Sequence, residues 1–415
     1  MHNHLEGETV IIYPHQFRSF DEIGETLDRS LPVVTLFSGG LDSSYLLLRL
    51  REMGFTDVHA LSVEIGELET QEEKQRIAVA LGAMLHVSHL QQVFADEFVA
   101  PAIKTHAVYL GLHPVSSSLS RPLIARTAVE LAHALGSHCI LHTANRSQNT
   151  LRRLNGALQL LGFIGYYGSP YDLQPVSRAT KISELEAAGI KFSSDRTVSG
   201  DSNLWCREFE SGTLDDPESH HIPESIYRWS TTSPELRARD EQISLSFEEG
   251  LPTAVDGLRM NLVELIDHLN TRIGRLGVGR YTGLEHLDNG QKVLEIREMP
   301  AAWVILKTAR HLESACLPPE LMRVKLGAEQ LWTREALEGR WFGALKSATE
   351  AFVDSCSGHV TGTVKWSVHN GVPSTTAIIA EHPVYIRERE QWEADSIRIE
   401  IDNFSPLLTQ GSLQR

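Results

Sequence analysis

The chain is short of cysteine, of uninterrupted apolar sequence and of positive charge, and each shortage removes a class of function. Four cysteines, Cys139, Cys206, Cys316 and Cys356, are widely spaced and form no CxxC pair. That spacing supports neither a zinc site nor a disulfide framework, so reduced structural thiols are expected. The longest apolar stretches, such as Tyr45–Leu48 and Ala301–Leu306, fall far below the roughly 20 residues of a membrane-spanning helix. The start, Met1-His2-Asn3-His4-Leu5-Glu6, lacks a basic stretch followed by an apolar core. No secretory signal is expected, and the cytoplasm is the default location. Basic residues number 38 against 54 acidic ones, a formal charge of −16, and the pI is near 5.6. A phosphate-backbone binder would show a basic face, so neither nucleic acid nor a membrane is expected as a partner. That balance says nothing against a local basic pocket for a small anion.

What is present is an ordinary soluble globular composition, 41% hydrophobic and 22% charged over 415 residues, long enough for two or three domains. Residues 1–30 read as an N-terminal extension. The apolar, β-branched run Pro32-Val33-Val34-Thr35-Leu36-Phe37 reads as a buried strand. A helix from Tyr45 to Met53, a strand from Asp57 to Val63, a helix from Gln71 to Leu81 and a strand from Met84 to Val87 follow. Next come a helix from Ile124 to Leu135 and a strand at Cys139-Ile140-Leu141. That alternation predicts an α/β fold with a parallel sheet over residues 31–195. Beyond a boundary near 190–200 the texture changes. Residues 211–240 read as a long loop. Gln242 to Phe247 reads as a strand, and Leu262–Gly274, Trp303 to Ala315 and Trp332 to Val353 as helices. Thr361 to His369 and Val372–Ala380 form a hairpin around Asn370-Gly371. The prediction for 196–403 is an α+β domain that binds substrate and assembles subunits. A polar tail, 404–415, would swap onto a neighbouring subunit.

The chemistry concentrates in Ser38-Gly39-Gly40-Leu41-Asp42-Ser43-Ser44, set between a buried strand and a helix. Two glycines let backbone N–H groups approach an anion, and the following helix N-terminus adds partial positive charge. Ser38, Ser43 and Ser44 add hydroxyl donors, and Asp42 can hold Mg²⁺ or orient the loop. The spacing and the Gly-Lys-Ser/Thr ending of a Walker loop are absent. A Gly-Gly turn before a helix is common; the whole heptapeptide in this position is not.

This heptapeptide resembles the PP-loop of the N-type ATP pyrophosphatases, which cleave ATP to AMP and pyrophosphate. Further segments resemble the argininosuccinate synthase family. Val63-Glu64-Ile65-Gly66-Glu67 is similar to the family's second strand, whose backbone meets adenine. Ser117-Ser118-Leu119-Ser120-Arg121-Pro122 is similar to GTSLARP, and Asn203-Leu204 through Pro217 to NLxxxSxEGGxLEDP. Phe247 to Pro252 matches FExGxP, and Leu269 through Glu285 matches LNxxxGxHGxGRxxxxE. The resemblance runs from about Val33 to about Ala380 with every block in order. It implies a homotetrameric ligase that adenylates a ureido acceptor with ATP and Mg²⁺, then couples it to an amine. The ATP positions are Phe37, Ser38, Gly39, Gly40, Asp42, Ser43, Ser44, Val63 and His142, with Asp42, Ser43 and Ser44 in catalytic roles and Asp42 as the metal ligand.

Several positions depart from the family pattern. In the segment Leu141 to Leu154, His142, Asn149 and Arg153 match SHGxTGKGNDQVRF. Asn145 replaces a threonine and Thr150 replaces an aspartate, both of which meet the amine substrate in the family. Around the citrulline pocket Ser118, Arg153, Ser199 and Glu285 match and Ser117 is a further candidate for substrate binding, whereas His113, Glu208 and Arg297 replace two tyrosines and a serine. Unpaired buried charges cost several kcal/mol, by order of magnitude. Glu208 and Arg297 are therefore expected to meet either a different substrate or each other. The first expectation makes citrulline with aspartate a poor substrate pair and the acceptor another amino-acid-like molecule, in specialised metabolism. The alternatives are an authentic argininosuccinate synthase and a nucleotide-binding paralogue without catalysis.

Overall fold

The computed structural model describes residues 15–66, 71–192, 198–231, 233–287 and 290–410. Six parallel strands make the first sheet: β1 (His15–Phe17), β2 (Val33–Leu36), β3 (Val58–Glu64), β4 (Ala83–His89), β5 (Cys139–Leu141) and β6 (Tyr166–Gly168). Their spatial order is β1-β6-β5-β2-β3-β4. Parallel pairing requires long crossovers. Helices α1 (Leu41–Glu52), α2 (Glu72–Ala80), α3 (Ser117–Leu135) and α4 (Thr150–Leu160) lie within these connections. Alternation along each strand feeds two cores. Val33 packs with Leu46, Leu47 and Ile77 on one face, and Val34 with Leu61, Ala125 and Leu154 on the other. The chain steps from β2 to β3 to β4, then returns to lay β5 on the opposite side of β2. Such a reversal opens a crevice beyond the carboxyl ends of the strands, where open α/β sheets take ligands.

The C-terminal half is α+β. A four-stranded antiparallel sheet is ordered β12-β13-β8-β7, from β7 (Ser199–Ser202), β8 (Arg207–Glu210), β12 (Arg280–His286) and β13 (Lys292–Glu298). A five-stranded sheet is ordered β11-β10-β9-β14-β15, from β9 (Glu241–Glu248), β10 (Leu251–Val255), β11 (Leu258–Arg259), β14 (Gly362–His369) and β15 (Val372–Ala380). Asn370 (φ 51°) and Gly371 (φ 76°) make the expected hairpin turn. Both halves share one large core, in which Phe94, Phe98 and Leu119 pack with Ile305, Trp332 and Val364. All four cysteines are buried and free. Among the described residues no helix is long and apolar enough to cross a membrane.

Four expectations are corrected. The segment read as an extension contributes β1, which pairs with β6 at the sheet edge. Helix α3 starts at Ser117 and runs through Pro122, because tertiary burial of the serine-rich first turns outweighs proline's helix-breaking tendency. The helix read from Trp332 to Val353 is two: α8 (Pro319–Leu337) and α9 (Ala344–Ser357), following α5 (Arg178–Ala187), α6 (Leu262–Gly274) and α7 (Pro300–Cys316). The break falls at Gly339, whose φ of +74° suits glycine. A β-carbon there would stand 2.5 Å from the Arg152 carbonyl oxygen. The tail read from residue 404 begins inside a helix, α10 (Arg389–Gln410); residues 411–415 lie outside the described residues.

Candidate active site

The crevice at the sheet reversal is a cleft of about 1200 Å³, walled by both halves of the chain. Strand β2 delivers the phosphate loop to one end. The Phe37 N–H extends the ladder onto the Leu61 carbonyl at 2.8 Å. Gly39 turns at φ +74°, a conformation a β-carbon disfavours. The Gly40 N–H donates to Ser38 Oγ at 3.3 Å, and Ser43 Oγ donates to the Gly40 carbonyl at 3.2 Å. Gly40 at the N-cap brings no side chain to cap α1, so the first-turn N–H groups are left for an anion.

Asp42 is engaged inside the protein. Its Oδ1 accepts from Lys181 Nζ on α5 at 2.5 Å, and its carbonyl accepts from the Tyr171 hydroxyl at 2.9 Å. It thereby pins the loop to α5. Ser44 is fully buried, does not line the cleft, and its Oγ has no partner among the described residues. This removes it from the hydroxyl donors expected of the loop, because a helix shows residues one apart to different faces. His142, at the end of β5, lines the cleft. Its Nε2 lies 2.8 Å from Asn155 Oδ1, and its Nδ1 accepts from the Ala144 N–H at 3.3 Å. Burial pushes the imidazole down to about 4, so it is neutral and shapes the turn that follows β5.

Mg²⁺ rests on Asp42 alone in the sequence reading. Among the described residues no group of three or more His, Cys, Asp and Glu side chains is placed to hold a metal ion. A single carboxylate already paired with Lys181 is not a cage for a resident ion. The donor set fits instead a cation that travels on nucleotide phosphates with its own waters.

The same cleft holds a dense charge network. Arg153, on α4, donates from Nη1 to Ser117 Oγ at 2.7 Å, from Nη2 to Glu285 Oε1 at 2.9 Å and from Nε to the Leu337 carbonyl at 3.2 Å. Strand β8 pairs with β13 so that Glu208 faces Arg297 across the ladder, and their side chains bond directly. Arg297 also donates to Glu295 and, at 3.3 Å, to the Pro114 carbonyl. It lies 3.7 Å from Glu285. Glu208, Glu285 and Glu295 line the cleft, whereas Arg297 lies behind them with 2% of its side chain exposed. Burial pushes Glu295 well above the usual carboxylate range. Burial alone would raise Glu285 too, but Arg153, a hydrogen bond with Glu295, and Arg297 hold it below that range. The two carboxyls are thus pushed in opposite directions, Glu295 up and Glu285 down.

The expectations sort cleanly against this geometry. Phe37, Ser38, Gly39, Gly40, Asp42, Ser43, Val63, His142, Ser117, Asn149, Thr150, Arg153, Ser199, Glu208 and Glu285 line one cleft. His113, Ser118, Asn145 and Arg297 do not. His113 is buried against the rings of Tyr109 and Tyr281. Burial, then Arg297, pushes it down to about 3, so it adds no charge. Ser118 is buried with its Oγ unpartnered among the described residues. Asn145 spends its Oδ1 on the N–H and hydroxyl of Ser147, closing a local turn. Thr150 Oγ1 accepts from Arg121 Nε at 3.3 Å, and Arg121 also pairs with Asp201 at 2.8 Å. Sequence reasoning missed Glu295, Glu210, Lys74 and Lys181. Period-two alternation could have found the first two, since Glu295 stands two residues from Arg297, and Glu210 two from Glu208.

Two family models match the chain. The arginosuccinate synthase N-terminal HUP domain covers residues 32–161, and the arginosuccinate synthase C-terminal domain covers residues 198–401. An argininosuccinate synthase from Rubrobacter xylanophilus is 34% identical over 367 residues, covering 88% of this chain and 89% of that protein. One from Methanopyrus kandleri is 33% identical over 395 residues, covering 92% and 96%. Models that span both halves, together with relatives that match nearly end to end, place this chain in the argininosuccinate synthase family.

Proposed function

We propose that the protein is an ATP-dependent carbon–nitrogen ligase that forms AMP and pyrophosphate while joining citrulline to an amine. The observation that carries this reading is one cleft lined by both the phosphate loop and the Arg153–Glu285 pair. The ureido oxygen attacks the α-phosphorus and expels pyrophosphate; the amine then displaces AMP from the activated carbon. The chain contributes position and charge neutralisation. Arg153 has five N–H donors, of which three are used, so two are left for an acceptor carboxylate. Glu285 is placed for an acceptor ammonium. Glu208 and Arg297 satisfy each other, which removes the reason to require a different acceptor and favours the reaction for which the relatives are named. Aspartate is then the amine. A different amine is favoured by one observation: Thr150, held by Arg121, stands where the family places an aspartate for the incoming ammonium. Loss of one charge-assisted hydrogen bond lowers binding about 10- to 150-fold.

Phosphorus NMR of ATP with citrulline, with and without aspartate, tests both parts. AMP and pyrophosphate with citrulline support the ligase reading; ADP and phosphate overturn it. Argininosuccinate formation at a metabolic rate excludes the different-amine reading. Pyrophosphate release that saturates with another amine, but not with aspartate, establishes it. A soluble homotetramer in the cytoplasm is part of the proposal, and light scattering at micromolar concentration checks the assembly.

A further inference from the structure

The phosphate loop has donors but no cation. Between Ser38 and Ser44 the one charged side chain is Asp42, and it is acidic. Pyrophosphate carries several negative charges, so a side-chain cation from another element would complement the loop's donors and any cation that travels with the nucleotide. Lys74, on α2, runs along the loop. A β-carbon on Gly39 would stand 2.9 Å from Lys74 Cγ and 3.7 Å from its Cε, so the stem lies against the glycine. The ammonium donates to Glu64 Oε1 at 2.6 Å and to Ser62 Oγ at 3.4 Å. Glu64 and Ser62 belong to the carboxyl end of β3, and all three residues line the cleft. Lysine combines a flexible four-carbon stem with a compact point charge, so a swing of its last bonds exchanges a carboxylate oxygen for a phosphate oxygen at similar hydrogen-bond strength.

The geometry points to Lys74 as a binding residue for the pyrophosphate half of the nucleotide, its ammonium passing from Glu64 to a phosphate seated on Gly39 and Gly40. The inference rests on the nucleotide reading of the cleft. It opposes a plainer role, in which Lys74 does no more than neutralise a buried Glu64.

The double variant Glu64→Gln/Lys74→Gln separates the two, because it removes both charges and leaves neither alone. Isothermal titration of the full chain with inorganic pyrophosphate and, separately, with AMP is the assay. Pyrophosphate binding at least 10-fold weaker, with AMP binding within about twofold, is the expected result. Pyrophosphate binding equal to that of the unaltered chain overturns the proposal and leaves the neutralising role. A second variant covers the case in which the double one does not fold. Glu64→Gln alone weakens the hold that β3 has on the ammonium, and pyrophosphate should bind several-fold tighter; unchanged or weaker binding overturns the proposal. Lys74→Arg should bind pyrophosphate within a few-fold of the unaltered chain; a loss as large as in the double variant counts against a charge-based role. Failure of the unaltered chain to bind pyrophosphate or ATP at all removes the nucleotide reading itself, an outcome distinct from equal binding by chain and variant.

Discussion

Replacing Arg297 by methionine removes the central charge of the network it forms with Glu208, Glu285 and Glu295. Glu285 keeps Arg153 at 2.9 Å, and Glu295 is held toward its neutral form by burial. The cost therefore falls on Glu208, left as a buried carboxylate without its guanidinium. Breaking a buried ion pair from one side costs about 3–5 kcal/mol, and Arg297→Met belongs in that range. Glu208→Gln is gentler. Arg297 keeps Glu295 and Glu285, and Glu295 can ionise to serve as its counter-charge. What remains is one lost charge-assisted hydrogen bond, about 1.5–3 kcal/mol. The double variant leaves neither group alone, so the two effects should fall short of additivity by about 1–3 kcal/mol. Urea unfolding followed by circular dichroism, in one buffer, ranks the four chains by midpoint. The expected order is unaltered chain, Glu208→Gln, then Arg297→Met, with the double variant above the sum of the singles. A Glu208→Gln midpoint below that of Arg297→Met, or strict additivity, refutes the reasoning that the charges meet each other.

Three further outcomes follow from the geometry. His113, pushed down to about 3 by burial and Arg297, should show imidazole NMR signals that do not move between pH 8 and pH 5, and a midpoint near pH 6.5 would contradict its packing. The unfolded chain accepts that proton below about pH 6.5 and the folded chain refuses it, so this site lowers stability as the pH falls, by ~1.4 kcal/mol per unit. Gly39→Ala puts a side chain at φ +74° against the Lys74 stem; a stability loss of about 1–2 kcal/mol and weaker ATP binding by calorimetry are expected, and an unchanged affinity would count against the loop geometry. Asp42→Asn discharges the partner of Lys181 and should reduce turnover while circular dichroism stays the same; full turnover would take Asp42 out of the loop's working conformation.

The nucleotide end of the cleft was legible because it is contiguous. Strand, Gly-Gly turn and helix start lie within a dozen residues of one another, and their types state their conformation. The acceptor end was only half legible. Arg153 and Glu285 were found, but their meeting depends on how α4 docks against β12, which no local pattern encodes. The pairing of Glu208 with Arg297 was one of two expectations, and the strand register decided it. Glu295 escapes the sequence reading, although it shares a face with Arg297, because no strand is read there over Lys292–Glu298 and the period of two goes unused. Pro122 concealed the start of α3, since burial can keep a helix running through a proline. Gly339 concealed the break between α8 and α9, since an isolated glycine inside an apolar periodicity signals a stop only weakly. Lys181 and Lys74 come to the loop from separate helices, and neither has a sequence signature.

Arg153 gathers Ser117 from the first half of the chain with Glu285 and the Leu337 carbonyl from the second, and Gly156 packs 2.6 Å from the Gly339 carbonyl when measured from the β-carbon it lacks. This arrangement has a consequence in time. On the ribosome the residues of the phosphate loop emerge long before Leu337, so they are made well before Arg153 can complete its hydrogen bonds. The Arg153 network is complete only once the chain has been made as far as Leu337 and the two halves have packed together.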